Sequence, residues 1–72
     1  MDEVLLNKLA VRIKELRKKN NLTQEELAEK SGVSYKHIQK LEGKYLHDPK
    51  LGTLVKIAKA FNTSIHLLLK SV

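Results

Sequence analysis

The sequence predicts an all-α domain of five short helices, and three observations predict it. Apolar residues recur at helical spacing, capping residues stand where helices should start and stop, and no alternating strand pattern of convincing length occurs. The 72 residues are expected to form a single domain spanning 1–72. An apolar fraction of 42% is enough for a core, and with only 4% aromatics that core must be filled by aliphatic side chains. A chain of this size buries only about 60% of its unfolded surface, which argues against a deep catalytic cleft.

The first helix is expected over Glu3 to Lys19, where Leu6, Leu9, Ile13 and Leu16 form one stripe. Asp2 and Glu3 suit the positive end of its dipole, and Arg17, Lys18 and Lys19 suit the negative end. Asn20-Asn21 is a natural stop, because Asn tolerates the left-handed conformation that ends helices. Thr23-Gln24-Glu25-Glu26 is a capping box that opens a second helix, which Gly32 closes. Ser34 caps a third helix running to Glu42 and ended by Gly43. A fourth begins near Leu51, with Leu51, Leu54, Ala58 and Phe61 expected to face inward. Ser64 caps a short fifth helix bearing Ile65, Leu68 and Leu69.

Lys and Arg number 14 and Asp and Glu 8, a formal net charge of +6. Such an excess on so small a body points to a polyanion, either nucleic acid or an anionic membrane surface. Composition alone does not choose between them. The absence of cysteine excludes disulfides, thiolate nucleophiles and Cys-ligated zinc. His37, His47 and His66 lack metal-ligand spacing, no Ser-His-Asp constellation is indicated, and the three glycines stand too far apart for a phosphate loop. Neither catalysis nor a cofactor or metal is expected. The acidic start does not read as a secretory signal, and no apolar run approaches the ~18 residues of a spanning helix, so a cytoplasmic location is expected.

Residues 24–43 carry the functional information. Ala28 is small where two steeply crossing helices need close approach, Gly32 stands where the turn wants a positive φ, and Val33, Ile38 and Leu41 anchor the second helix. Together these describe a helix-turn-helix, whose second helix can lie in the DNA major groove. With Ile38 and Leu41 inward, steps of ~100° put Lys36, Lys40 and Gly43 on the opposite side, with His37 and Gln39 on its flanks. Lys36 and Lys40 lie one turn apart, so both ammonium groups can enter one groove and donate to guanine, while Gln39 suits adenine. Gln24 and the free N–H groups of the second helix suit a backbone phosphate.

The run from Leu22 through Ser34, with Ile38, Leu41, Glu42 and Gly43, resembles the Cro/repressor-type helix-turn-helix family, also called the XRE family. The likeness continues through Pro49, Leu54, Ile57-Ala58, Ala60-Phe61 and Leu68-Leu69. It implies a compact five-helix, lambda-repressor-like DNA-binding domain, commonly found in dimeric transcription regulators. By this resemblance Tyr35, Lys36 and Lys40 read bases and Gln24 contacts phosphate; His37 and Gln39, from their place on the flanks, are also expected at bases, and Ser34 at phosphate. Lys44, Tyr45 and Lys50 fall in the loop where the family places further backbone contacts. Here the sequence departs from the pattern: Gly43 directly follows Glu42, and Tyr45 to Asp48 lengthens the loop before Pro49. In similar domains an arginine and a glutamate at the places of Arg17 and Glu42 form a partly buried ion pair of structural role.

In the last helix Leu67 and Val72 fall outside the buried face, which suggests a partner surface. A homodimer through the C-terminal helix is expected, helped by Phe61 or Leu46. The expected function is a sequence-specific double-stranded DNA-binding regulator, more often a repressor, on a near-palindromic operator. The alternative is a protein-interaction or antitoxin-like module of the same fold, which would favour an acidic or apolar surface where this chain bears lysines. Peripheral membrane binding through the first helix fares worse, because its apolar stripe is needed for the core. The charge is also unevenly placed: residues 1–31 carry seven basic and six acidic side chains, whereas residues 32–72 carry seven basic and two acidic.

Overall fold

A computed structural model describes residues 2–43 and 48–70, and among them the chain forms five helices and no strand. These are α1 (Glu3–Lys19), α2 (Gln24–Ser31), α3 (Tyr35–Glu42), α4 (Leu51–Ala60) and α5 (Ile65–Leu68). Local chemistry sets nearly every boundary. The Asp2 carboxylate accepts from the Leu5 N–H at 2.9 Å to open α1. Asn21, with φ 57°, turns the chain left-handed beyond its end. The capping box of α2 is complete: Glu26 N–H donates to Thr23 Oγ1 at 3.0 Å and Thr23 N–H donates to Glu26 Oε1 at 2.9 Å. Ser34 Oγ accepts from His37 N–H at 3.2 Å, and Ser64 Oγ accepts from Leu67 N–H at 3.1 Å. Lys50 opens α4 without a side-chain cap.

Gly32 has φ 76°, and a Cβ built there would meet nothing within 4 Å. Backbone conformation, not space, therefore demands glycine in the turn between α2 and α3. At Gly43 the reason is reversed: the backbone is ordinary extended chain, but a Cβ would lie 2.8 Å from the Gln39 carbonyl oxygen.

Helix α2 packs against α3 and α4, α1 against α3, and α4 against α5. One core gathers Leu9 and Ile13 from α1, Leu27 and Ala28 from α2, Val33, and Ile38 and Leu41 from α3. The second half adds Leu54, Ile57, Ala58 and Ala60 from α4, then Phe61 and Leu68. Ile13, Leu27, Ile38, Ile57 and Leu68 are completely buried, each contributing about 1.5–3 kcal/mol by leaving water.

One expectation about the core is corrected. Leu51 is 68% exposed, although its spacing from Leu54 pointed inward. Periodicity sets a direction but does not ensure that another element lies there, and among the described residues none covers Leu51. Phe61 faces inward as its spacing predicts and fills the core at 6% exposed, which leaves its ring little surface for the interface contact also expected of it. It is the only phenylalanine in the chain, so no other side chain supplies that volume. Among the described residues no helix is long and apolar enough to cross a membrane.

Candidate nucleic-acid interface

Helix α3 is anchored on one side and open on the other. Ile38 and Leu41 are buried, while Tyr35, Lys36, Gln39 and Lys40 are exposed and His37 is half-buried. Ser34, Lys36, His37 and Lys40 line one open depression of about 250 Å³ along this helix. The fold thus brings the two lysines together with the N-terminal serine of their own helix, in a recess that a phosphate oxygen or a base edge can enter. Tyr35, 42% exposed at the first turn, and Gln39 lie outside this recess on the same helix. Ser34 Oγ is occupied as an acceptor by its own helix, which leaves its hydroxyl proton to donate.

The α2–α3 unit is tied to α1 by a polar knot. Arg17 donates from Nε to Glu42 Oε2 at 2.8 Å and from Nη2 to Glu42 Oε1 at 3.0 Å, a two-pronged contact. Its third prong, Nη1, donates to the Leu22 carbonyl at 2.8 Å, at the entry to α2. The two side chains are only 12% and 2% exposed. One residue therefore fastens the end of α1, the loop that follows and the end of α3. Glu42 Oε1 also accepts from Gln24 Nε2 at 3.3 Å, which makes Gln24 a half-buried member of the knot. Reading Gln24 from sequence as a phosphate contact missed this bond, since nothing in the sequence pairs positions 24 and 42.

Glu26 sits at the same helix end. Its carboxyl is held below its ordinary value of 4.5, chiefly by the hydrogen bond from the Thr23 backbone and further by the Thr23 side chain. The capping box uses the N–H groups of Thr23 and Glu26, and those of Gln24 and Glu25 have no partner among the described residues.

The remaining expected positions divide plainly. Lys50 is exposed at the start of α4. Lys44, Tyr45, Leu46 and Val72 lie outside the described residues. On α5, Leu67 is 46% exposed while Leu68 is fully buried. Sequence reading also missed Arg12, which donates from Nε to the Leu68 carbonyl at 3.2 Å and from Nη2 to the Leu67 carbonyl at 3.0 Å. It caps the last carbonyls of a four-residue helix that propensity alone would not hold.

A tight left-handed turn between two short helices, the second bearing an exposed basic face, defines a helix-turn-helix DNA-binding domain. The model of the family described as helix-turn-helix matches residues 13–68, and the chain belongs to this family, of the Cro/repressor or XRE type. It is 50% identical over 58 residues to an uncharacterized HTH-type transcriptional regulator of Archaeoglobus fulgidus, covering 79% of each chain. A second such regulator of that organism is 48% identical over 58 residues, covering 79% of this chain and 80% of the relative. The control protein C.SmaI of Serratia marcescens is 44% identical over 61 residues, covering 85% of this chain and 71% of the relative.

Proposed function

We propose that the chain is a sequence-specific double-stranded DNA-binding transcriptional regulator that acts as a repressor, with α3 in the major groove. The observation that carries this reading is the pair of exposed lysines, Lys36 and Lys40, one turn apart on the second helix of the motif. In this role Lys36 and Lys40 donate to guanine O6 and N7, Gln39 bonds adenine, and Tyr35 and His37 complete the base-facing set. Gln24, Ser34 and Lys50 take phosphates, as do Lys44 and Tyr45 in the loop after α3. Occupying an operator is enough to exclude other proteins from it, which suits repression by so small a domain.

A homodimer formed through α5, with Leu67 and Val72 at the contact, places two recognition helices in successive major grooves. Support comes from Leu67, an exposed leucine on a helix whose neighbour Leu68 is fully buried. The relatives named as transcriptional regulators favour this role over an antitoxin-like module, as does the lysine-bearing surface of α3.

Selection from a random duplex library, followed by gel shifts across a salt series, tests the reading. The expected result is a near-palindromic site with half-sites about 34 Å apart and affinity that falls steeply with salt. Binding without any enriched sequence would overturn it. On the selected site, Lys36→Ala is expected to cost about 1–3 kcal/mol and to relax preference at one base pair, as read by competition with single-base variants.

A further inference from the structure

We propose that Glu42 is a positioning residue for DNA binding: locked by Arg17, its carboxylate fixes the Gln24 amide so that one N–H of that amide remains for a backbone phosphate. The proposal rests on the phosphate role given to Gln24 above. A glutamine amide has two ends, one that donates and one that accepts, and can turn either outward. An ionised carboxylate only accepts. Because Glu42 Oε1 lies 3.3 Å from Gln24 Nε2, the NH2 end is the one held at the knot. That group has two N–H bonds, and Glu42 takes one.

Glu42 cannot easily turn away, because it is 2% exposed and gripped by two prongs of Arg17, whose third prong holds the Leu22 carbonyl. The guanidinium also offsets the carboxylate charge that would otherwise repel a phosphate. Gln24 is the first residue of α2, where its own backbone N–H and that of Glu25 are left over by the capping box. Side-chain and backbone donors therefore stand at one helix end, and the side chain is already ordered before DNA arrives. Pre-ordering of this kind strengthens binding by reducing what must be immobilised on contact. The acid that closes the recognition helix thus serves a contact made by the other helix of the motif.

Methylphosphonate scanning of the selected duplex tests this, replacing one backbone phosphate at a time by a neutral group. With the wild-type chain, one position facing Gln24 is expected to weaken binding roughly three- to tenfold. Gln24→Met should abolish that sensitivity and leave the others. The double variant Arg17→Met/Glu42→Leu replaces the pair by apolar side chains, a change that buried pairs often tolerate, so it should remain folded. It is expected to lose the same sensitivity, and adding Gln24→Met to it should change nothing more. Glu42→Gln, which presents either amide end to Gln24, should lose part of it and guards against a double variant that does not fold. Sensitivity at the Gln24 position that stays at the wild-type level in Glu42→Gln, or that survives in the folded double variant, would overturn the proposal. So would a uniform loss at every phosphate, which is what a purely structural role predicts. If the wild-type chain binds no duplex, the DNA-binding reading fails and this proposal with it, whereas binding with additive losses removes the proposal alone.

Discussion

Two arginines on α1 do similar work with different partners. Arg17 grips the Glu42 carboxylate and the Leu22 carbonyl, whereas Arg12 grips two backbone carbonyls at the end of α5. Five residues apart, they project about 140° from one another around the helix, so α1 is a post with one clamp for the DNA-reading unit and another for the C-terminal helix. The difference lies in what is lost when a clamp opens. Removing a side of the Arg17 clamp strands a charge in a site only 2% exposed at the carboxylate. Opening the Arg12 clamp exposes carbonyls at a helix end that water can reach. One clamp is therefore an obligation of the fold, and the other is a graded support.

Glu42→Ala should cause the largest effect, costing about 3–5 kcal/mol in chemical denaturation, because Arg17 is left buried and unpaired. A loss below about 1 kcal/mol would mean that water reaches the knot, and the contrast between the two clamps would disappear. Arg12→Met should cost about 1–2 kcal/mol, with faster amide exchange in α5 and little change in α2 and α3, as measured by hydrogen exchange. Lysine tests the geometry more finely. Arg17→Lys keeps the charge but loses the two-pronged contact and the third bond, and is expected to cost about 1–2 kcal/mol. Arg12→Lys should cost less than 1 kcal/mol, since a single ammonium can still serve a carbonyl. Equal losses at the two positions would break the comparison.

The smallest effect concerns acid. Glu26 is fully exposed, and its carboxyl lies below 4.5 in the folded chain. A depressed folded value gives stability that is present above the unfolded value and lost as pH falls through the folded one. The capping box should therefore loosen only below about pH 4.5, and Thr23→Ala should return the Glu26 midpoint toward that value in an NMR titration.

The two clamps also mark how far the sequence could be read. Arg17 and Glu42 were legible as a pair, because both are charged side chains at places that a resemblance connects. Arg12 was not, because its partners are carbonyls, which every residue carries. The same limit hid the bond between Gln24 and Glu42, where each residue had a sufficient role of its own. Leu51 failed differently: its apolar spacing matched that of Leu54, Ala58 and Phe61, which are buried, but spacing on one helix does not tell whether a neighbour covers each position.

By itself the sequence determined where the helices begin and end, since Asp2, Thr23, Ser34 and Ser64 act on N–H groups three residues away and Gly32 acts on its own backbone. It also determined that an exposed basic face would oppose Ile38 and Leu41 on α3, because that follows from the pitch of one helix. Only the tertiary structure decided which distant segments meet. The contacts from Arg12 to α5, from Arg17 to α3 and from Gln24 to Glu42 span 56, 25 and 18 residues along the chain. Contacts at such separations depend on how helices pack, and packing is a property of the whole core rather than of any segment within it.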